Sequence, residues 1–342
     1  MSATSPFPAS PHLSVPIREL GLRITGTPLE PVIDEFRREL ERVGIRRLKP
    51  DFYLSTEWGV PFPSISIGIP FYLAHPDLID LHARRHGYLE GAGRADLLRF
   101  LRHEMGHVVN YAYKLYEQAE WTKVFGSITQ PYLEEYHPAP FSRRYVRHLD
   151  GWYAQKHPDE DWAETFAVWM TPGFDWRARY AGWPEALAKL EYCDRTMAEL
   201  NQRDPLVTTI DHDEDASELH SSVEEFYRES ERAGKAAFPP GLDGALQAIF
   251  DDYVELCESS GIEGRSAHEL ILRIERQLVA DVYRWTGHFP EAVRPLVRHL
   301  ADRAKELSQV YPADKESSAV IAFTALVTSL AMNHVLRGHY LP

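Results

Sequence analysis

Cysteine is almost absent: Cys193 and Cys257 are the only two in 342 residues. Two thiols build neither the disulfide framework of a small secreted scaffold nor a cysteine-based zinc ribbon, and they fit a reducing compartment. Basic residues are also in short supply, 37 Lys and Arg against 51 Asp and Glu, for a formal net charge of −14. So negative a chain is poorly suited to nucleic acid or to an anionic membrane surface, and neither is expected as a partner. The first twenty residues hold Pro and Ser in place of a basic flank and an apolar core, so no secretory signal is read there and a cytoplasmic location is expected. Long apolar runs are scarce. The longest uncharged one, Ser317 to Leu336, contains Ser, Thr, Asn and His and is read as a buried helix instead of a bilayer span.

What is present is globular: 44% hydrophobic and 12% aromatic, in a length that suits one large domain or two ordinary ones. Residues 1–17 read as a flexible leader, and Gly21 to Thr25 as a short strand. Pro28 to Val43 is an amphipathic helix, with Leu29, Val32, Ile33, Phe36 and Leu40 at helical spacing. Asp51 to Tyr72 reads as two strands broken by a turn at Gly59-Val60-Pro61, one of them an edge strand. An edge strand can take an extended peptide backbone as a further strand, or serve the sheet alone. Trp176 to Leu200 reads as one helix, and the acidic run at 211–218 as a solvated linker. From 219 to 342 the pattern becomes that of a helical bundle, with helices expected at 219–234, 242–259, 266–286, 289–309 and 316–337. The expected architecture is α+β: residues 18–210 with a small mixed sheet, then an all-α helical domain at 219–342.

Two stretches carry chemistry. The first, Leu97 to Tyr116, holds His103-Glu104-Met105-Gly106-His107 inside a helical apolar pattern. A helix turns about 100° per residue, so His103 and His107 present both imidazoles on one side, the spacing of a zinc site. Glu104 stands one step round, where its carboxylate reaches a water on the metal and suits a general base. Gly106 weakens such a helix by roughly 1 kcal/mol relative to Ala; it can admit another backbone or a ligand at close range, or be simply tolerated. The second stretch, Trp152 to Met170, has Pro158, the acids Asp159, Glu160 and Asp161, and periodic Trp162, Phe166 and Trp169, the marks of a helix with an acidic start. Glu160 and Glu164 share a face. One can be a metal ligand and the other the carboxylate that orients a ligating histidine.

The run His157-Pro158-Asp159-Glu160-Asp161-Trp162-Ala163-Glu164-Thr165-Phe166-Ala167, following the histidine helix, resembles a bacterial group of zinc-binding metallopeptidases over roughly residues 90 to 200. These are gluzincin-type enzymes, and the resemblance implies a zincin-like domain and peptide hydrolysis with bound zinc. A more distant likeness, to anthrax-lethal-factor-like zinc peptidases, has a downstream E-x-x-A-E helix and a catalytic Tyr seven residues before its first Glu. Carried onto this chain, it implies Glu160 as third ligand beside His103 and His107, Glu164 as the orienting carboxylate and Tyr153 as the phenol that steadies the oxyanion. The substrate expected is a peptide or protein. The alternatives are an amidase or isopeptidase acting on a cytoplasmic conjugate, and a non-catalytic zinc-stabilised module whose helical C-terminal domain recruits a protein partner.

Overall fold

The structure, a computed structural model, describes residues 12–86, 88–133, 136–139, 141–233, 238, 242–252 and 264–340. The chain divides into two compact units, Met1–Arg85 with Leu89–Glu229, and His86–Tyr88 with Ser230–Pro342. The expected leader up to residue 11 and the expected helical stretch 253–259 lie outside the described residues.

In the first unit, helix α1 (Leu29–Arg42) buries Leu29, Val32, Ile33, Phe36 and Leu40, the stripe written in its spacing. Strands β1 (Asp51–Ser55) and β2 (Ser66–Pro70) pair in parallel, from Asp51 opposite Ser66 to Ser55 opposite Pro70. A tight turn at Gly59 would have made them an antiparallel hairpin. Instead the ten residues between them return to the start of the pair, and Gly59 forms an antiparallel bridge with Gly68, its carbonyl accepting the Gly68 N–H at 2.8 Å. Helix α2 spans Pro76–His86. Helix α3 (Arg94–Tyr113) then runs through the core, buried at every position from His103 to Tyr113. Helices α4 (Ala119–Phe125), α5 (Pro158–Met170), α6 (Trp176–Tyr180) and α7 (Pro184–Leu200) follow. The single helix expected from Trp176 to Leu200 is two, because Gly182 interrupts it and Pro184, which lacks an N–H, restarts it at a first-turn position.

Four sequence expectations are corrected here. Gly21 to Thr25 forms no strand; a short 3₁₀ turn, Ile17–Leu20, precedes it and ends at Gly21 in the left-handed region. The end of the expected leader is anchored, since Ile17 is buried and its N–H donates to the Ser221 carbonyl at 3.0 Å. The acidic run 211–218 is no solvated linker. The Ala216 N–H bonds the Leu54 carbonyl at 2.8 Å, the Asp211 N–H bonds Ser66 Oγ at 3.1 Å, and the Ser55 hydroxyl donates to the Asp213 carbonyl at 3.0 Å. Its backbone bonds the sheet's polar groups, while Asp215 accepts from the Ser217 N–H at 2.8 Å and pairs with His212 at 3.1 Å. Helix α8 (Val223–Ala233) likewise buries Val223 and Tyr227 in the first unit's core, so the boundary between units falls later than residue 219.

The second unit is mainly helical: α9 (Leu242–Gln247), α10 (Ala267–Thr286), α11 (Pro290–Glu306) and α12 (Glu316–Arg337) surround a core that includes Leu270, Val282, Leu296, Leu300, Phe323 and Leu330. It is not purely helical. Strands β3 (Asp251–Asp252), β4 (Arg265–Ser266) and β5 (Gln309–Tyr311) form an antiparallel sheet in the order β3-β5-β4. The apolar stretch Ala313–Arg337 is long and apolar enough to cross a bilayer by length and composition, and a third of its most apolar window is buried. The buried helix expected there packs by one face only: α12 puts Ala319, Phe323, Val327 and Leu330 inward and leaves Ile321 and Leu336 exposed.

Candidate metal centre

The site is built by two helices in unusually close contact. A Cβ added to Gly106 of α3 would lie 2.6 Å from the Ala163 Cα of α5, well inside van der Waals contact, so only glycine admits this approach. The Trp162 indole N–H donates to the Gly106 carbonyl at 2.7 Å and locks the same point. With the backbones this close, side chains from one turn of each helix meet end to end.

The start of α5 distributes its tasks residue by residue. The His157 ring caps the helix, Nδ1 accepting the Asp159 N–H at 3.2 Å while Nε2–H donates to the Gln130 carbonyl at 3.0 Å. Pro158 occupies the first turn, where an N–H has no helical partner. Asp159 accepts from His107 Nδ1–H at 2.9 Å, from Asn110 Nδ2 at 2.6 Å and from the Tyr111 hydroxyl. Glu160 Oε2 lies 3.0 Å from His103 Nε2 and 3.4 Å from His107 Nε2. The buried Asp161 accepts from Lys189 Nζ at 2.6 Å. Glu164 accepts His103 Nδ1–H at 3.0 Å and the backbone N–H groups of His148 and Leu149 at 2.9 Å.

The electron pairs that remain converge. Both Nδ1 atoms are committed as donors to carboxylates, which leaves both neutral imidazoles with Nε2 lone pairs 3.2 Å apart and facing Glu160 Oε2. In that neutral form three acceptors within 3.0–3.4 Å of one another share no hydrogen, so the bare cluster takes up protons at these atoms and a bound cation would replace them. In a tetrahedral zinc site with bonds of about 2.0–2.1 Å, donor atoms stand roughly 3.3 Å apart, so the triad fits a cation of that size and preference. His103, His107 and Glu160 are buried, and they can hold a metal.

The electrostatics of the bare cluster point the same way. Burial opposes charge on His103, yet bonds to Glu160 and Glu164 prevail and raise it to about 9. His107 is also burdened by burial but is pushed well above the usual imidazole range by the charges of Asp159 and Glu160. Glu160, despite its burial, is held well below the usual carboxylate range by the two histidines. The cluster is one that attracts positive charge. Glu104 differs: burial raises its proton affinity, with the histidines pulling the other way.

His103, Glu104, His107, Tyr153 and Glu160 all line one cleft of about 660 Å³, whereas Glu164 sits behind His103. The Tyr153 ring lies edge-on to His103, with centroids 5.6 Å apart. The stretch Glu57–Val60, carrying the Gly59 bridge, forms part of the wall. Sequence reasoning missed Tyr132, whose hydroxyl donates to Glu160 Oε1 at 2.6 Å and stands 3.3 Å from the Tyr153 hydroxyl. It lies in a loop without periodicity, which offers no signal. Asp159 was also missed as an orienting group, since an acid in a first helical turn already has a reason to be there.

Residues 80–173 match a family model described as "Putative zinc-binding metallo-peptidase". The matched segment contains α3, α5 and every residue of the triad. No curated protein and no solved structure matches the chain.

Proposed function

We propose that this chain, whose residues 80–173 are those of a zinc-binding metallopeptidase family, hydrolyses peptide bonds in the manner of a gluzincin, on a zincin-like frame. The observation that carries the reading is the three converging electron-pair donors, His103 Nε2, His107 Nε2 and Glu160 Oε2, at the wall of a cleft large enough for several peptide residues. A zinc ion held by these atoms would supply a Lewis acid and lower the pKa of water toward 7. Glu104 faces the same cleft and, with its proton affinity raised by burial, takes the proton of the attacking water and returns it to the leaving nitrogen. The Tyr153 hydroxyl donates to the developing oxyanion, an interaction worth on the order of 3 kcal/mol in comparable sites. Glu164 and Asp159 hold the two imidazoles in the tautomer whose Nε2 points into the cleft. The substrate backbone lies along Glu57–Val60, as an added strand would. We place the activity in the cytoplasm, with a peptide or protein as substrate.

The test is a mixture of ordinary and isopeptide-linked peptides incubated with zinc-loaded protein and read by mass spectrometry. Wild type is expected to cleave ordinary members, while Glu104→Gln binds one zinc and cleaves none. Cleavage by Glu104→Gln at the wild-type rate would overturn the assignment of the base; cleavage of isopeptide-linked members alone would move the activity to conjugates.

A further inference from the structure

The cleft wall on the His107 side is aromatic and continuous. The Tyr111 ring stands 6.0 Å from the His107 ring, and Phe62 meets Tyr111 edge-on at 4.9 Å and Tyr116 at 5.3 Å. Tyr111 and Tyr116 complete the triangle at 6.4 Å. Phe62, Tyr111 and Tyr116 line the same cleft as the metal-binding triad, next to Ile128. Phe62 is 56% exposed while Tyr111 is 7% exposed, so the wall ends in an apolar ring left open to a concave space. Single exposed apolar residues are ordinary on protein surfaces; an exposed ring that extends a packed aromatic set into a cleft is the usual lining of a ligand pocket.

This wall is braced by the groups that orient the metal ligands. Asp159, which accepts from His107, also takes the Tyr111 hydroxyl and the Asn110 amide, and Asn110 Oδ1 accepts the Tyr116 N–H at 3.0 Å. With its hydroxyl directed at Asp159, Tyr111 offers the cleft its ring. The cleft's polar lining includes the hydroxyls of Tyr132 and Tyr153, 3.3 Å apart.

We infer that this wall is a specificity subsite for a large apolar side chain, preferentially an aromatic one, of the substrate residue lying on the His107 side of the metal. The inference rests on the peptidase reading above and deepens it by naming a substrate class. A ring entering here makes edge-to-face contacts with Phe62 and Tyr116 at the 4.5–7 Å spacing such pairs favour.

The test is calorimetric binding of three hydroxamates to zinc-loaded protein: acetohydroxamic, 3-phenylpropanohydroxamic and 4-phenylbutanohydroxamic acids. At least one phenyl compound is expected to bind wild type about 10- to 100-fold tighter than acetohydroxamic acid, the discrimination a good apolar pocket gives. Phe62→Ala should reduce that advantage to less than about threefold, with Phe62→Leu between, while acetohydroxamic acid binds all three proteins alike. Because Phe62 is more exposed than buried, both variants are expected to fold. An unchanged advantage in Phe62→Ala, or none in wild type, overturns the subsite and leaves the metal site standing. Failure of every hydroxamate to bind zinc-loaded wild type overturns the peptidase reading, and the subsite with it.

Discussion

Gly106→Ala sets two effects of opposite sign against each other. In an ordinary helix interior the change stabilises by about 1 kcal/mol, because alanine has less backbone entropy to lose. Here the new Cβ lies 2.6 Å from Ala163 Cα, so α3 and α5 must separate by about 0.8 Å to restore ordinary contact. Overpacking of this kind costs typically 1–3 kcal/mol, and the Trp162 bond to the Gly106 carbonyl is stretched in the same movement. The net expectation is a loss of up to about 2 kcal/mol. The functional effect should be comparable in size. The 3.0 Å between His103 Nε2 and Glu160 Oε2 spans the same two helices, and its widening should weaken zinc binding at least tenfold, or about 1.4 kcal/mol. Denaturant unfolding and competition with a chromophoric chelator measure the two quantities. Gly244 is the control: it is exposed in α9 with nothing within 4 Å of an added Cβ, so Gly244→Ala should be neutral or mildly stabilising and leave zinc affinity unchanged. If Gly106→Ala behaves like Gly244→Ala in both assays, the argument from close helix approach is wrong.

Other expectations can be checked on the same protein. Glu164→Ala and Asp159→Ala each remove an acceptor that orients one of the two imidazoles, and each should weaken zinc affinity about 10- to 100-fold in the chelator competition without abolishing binding. Tyr132→Phe frees Glu160 Oε1, so the visible spectrum of the cobalt-substituted variant should shift from four-coordinate toward five-coordinate intensity; an unchanged spectrum would deny Tyr132 a positioning role. His288 makes stability depend on pH. Burial, with the neighbouring His334, lowers it from 6.5 to about 3, so the folded chain binds fewer protons than the unfolded chain between those values. The stabilisation is complete above about pH 6.5 and falls by up to about 1.4 kcal/mol per pH unit as the solution is acidified toward 3. Amide protection factors across Ala267–Arg337, with the intrinsic exchange rate at each pH divided out, should therefore fall below pH 6 in wild type and less so in His288→Phe. Equal acid sensitivity in the two would refute it.

What the sequence disclosed was what local periodicity encodes. A helix across Leu97 to Tyr116, observed at Arg94–Tyr113, and its histidine pair follow from spacing alone, as do the acidic start of α5 and the shared face of Glu160 and Glu164. What it withheld depends on contacts between distant segments. Nothing in Asp51 to Tyr72 says that β1 and β2 run parallel, since strand direction is decided by where the connection returns. Asp211 to Asp215 looks like solvated acid because its side chains are polar, while the bonds that hold it to β1 and β2 are largely made by its backbone. Tyr132 has no neighbours in sequence to reveal it, and only the fold carries its hydroxyl to Glu160. The second unit's small sheet was missed for a related reason: strands of two or three residues are too short to show alternation.

The central claim is that α3 and α5 together make one metal site with Glu160 as the third ligand. Metal content by mass spectrometry, on protein purified without added metal and again after zinc is supplied, tests it directly for wild type, Glu160→Ala and Glu164→Ala. The account predicts one zinc per wild-type chain, lost chiefly in Glu160→Ala and largely retained in Glu164→Ala at saturating zinc. No stoichiometric metal in wild type, or full occupancy in Glu160→Ala with loss in Glu164→Ala, would contradict it.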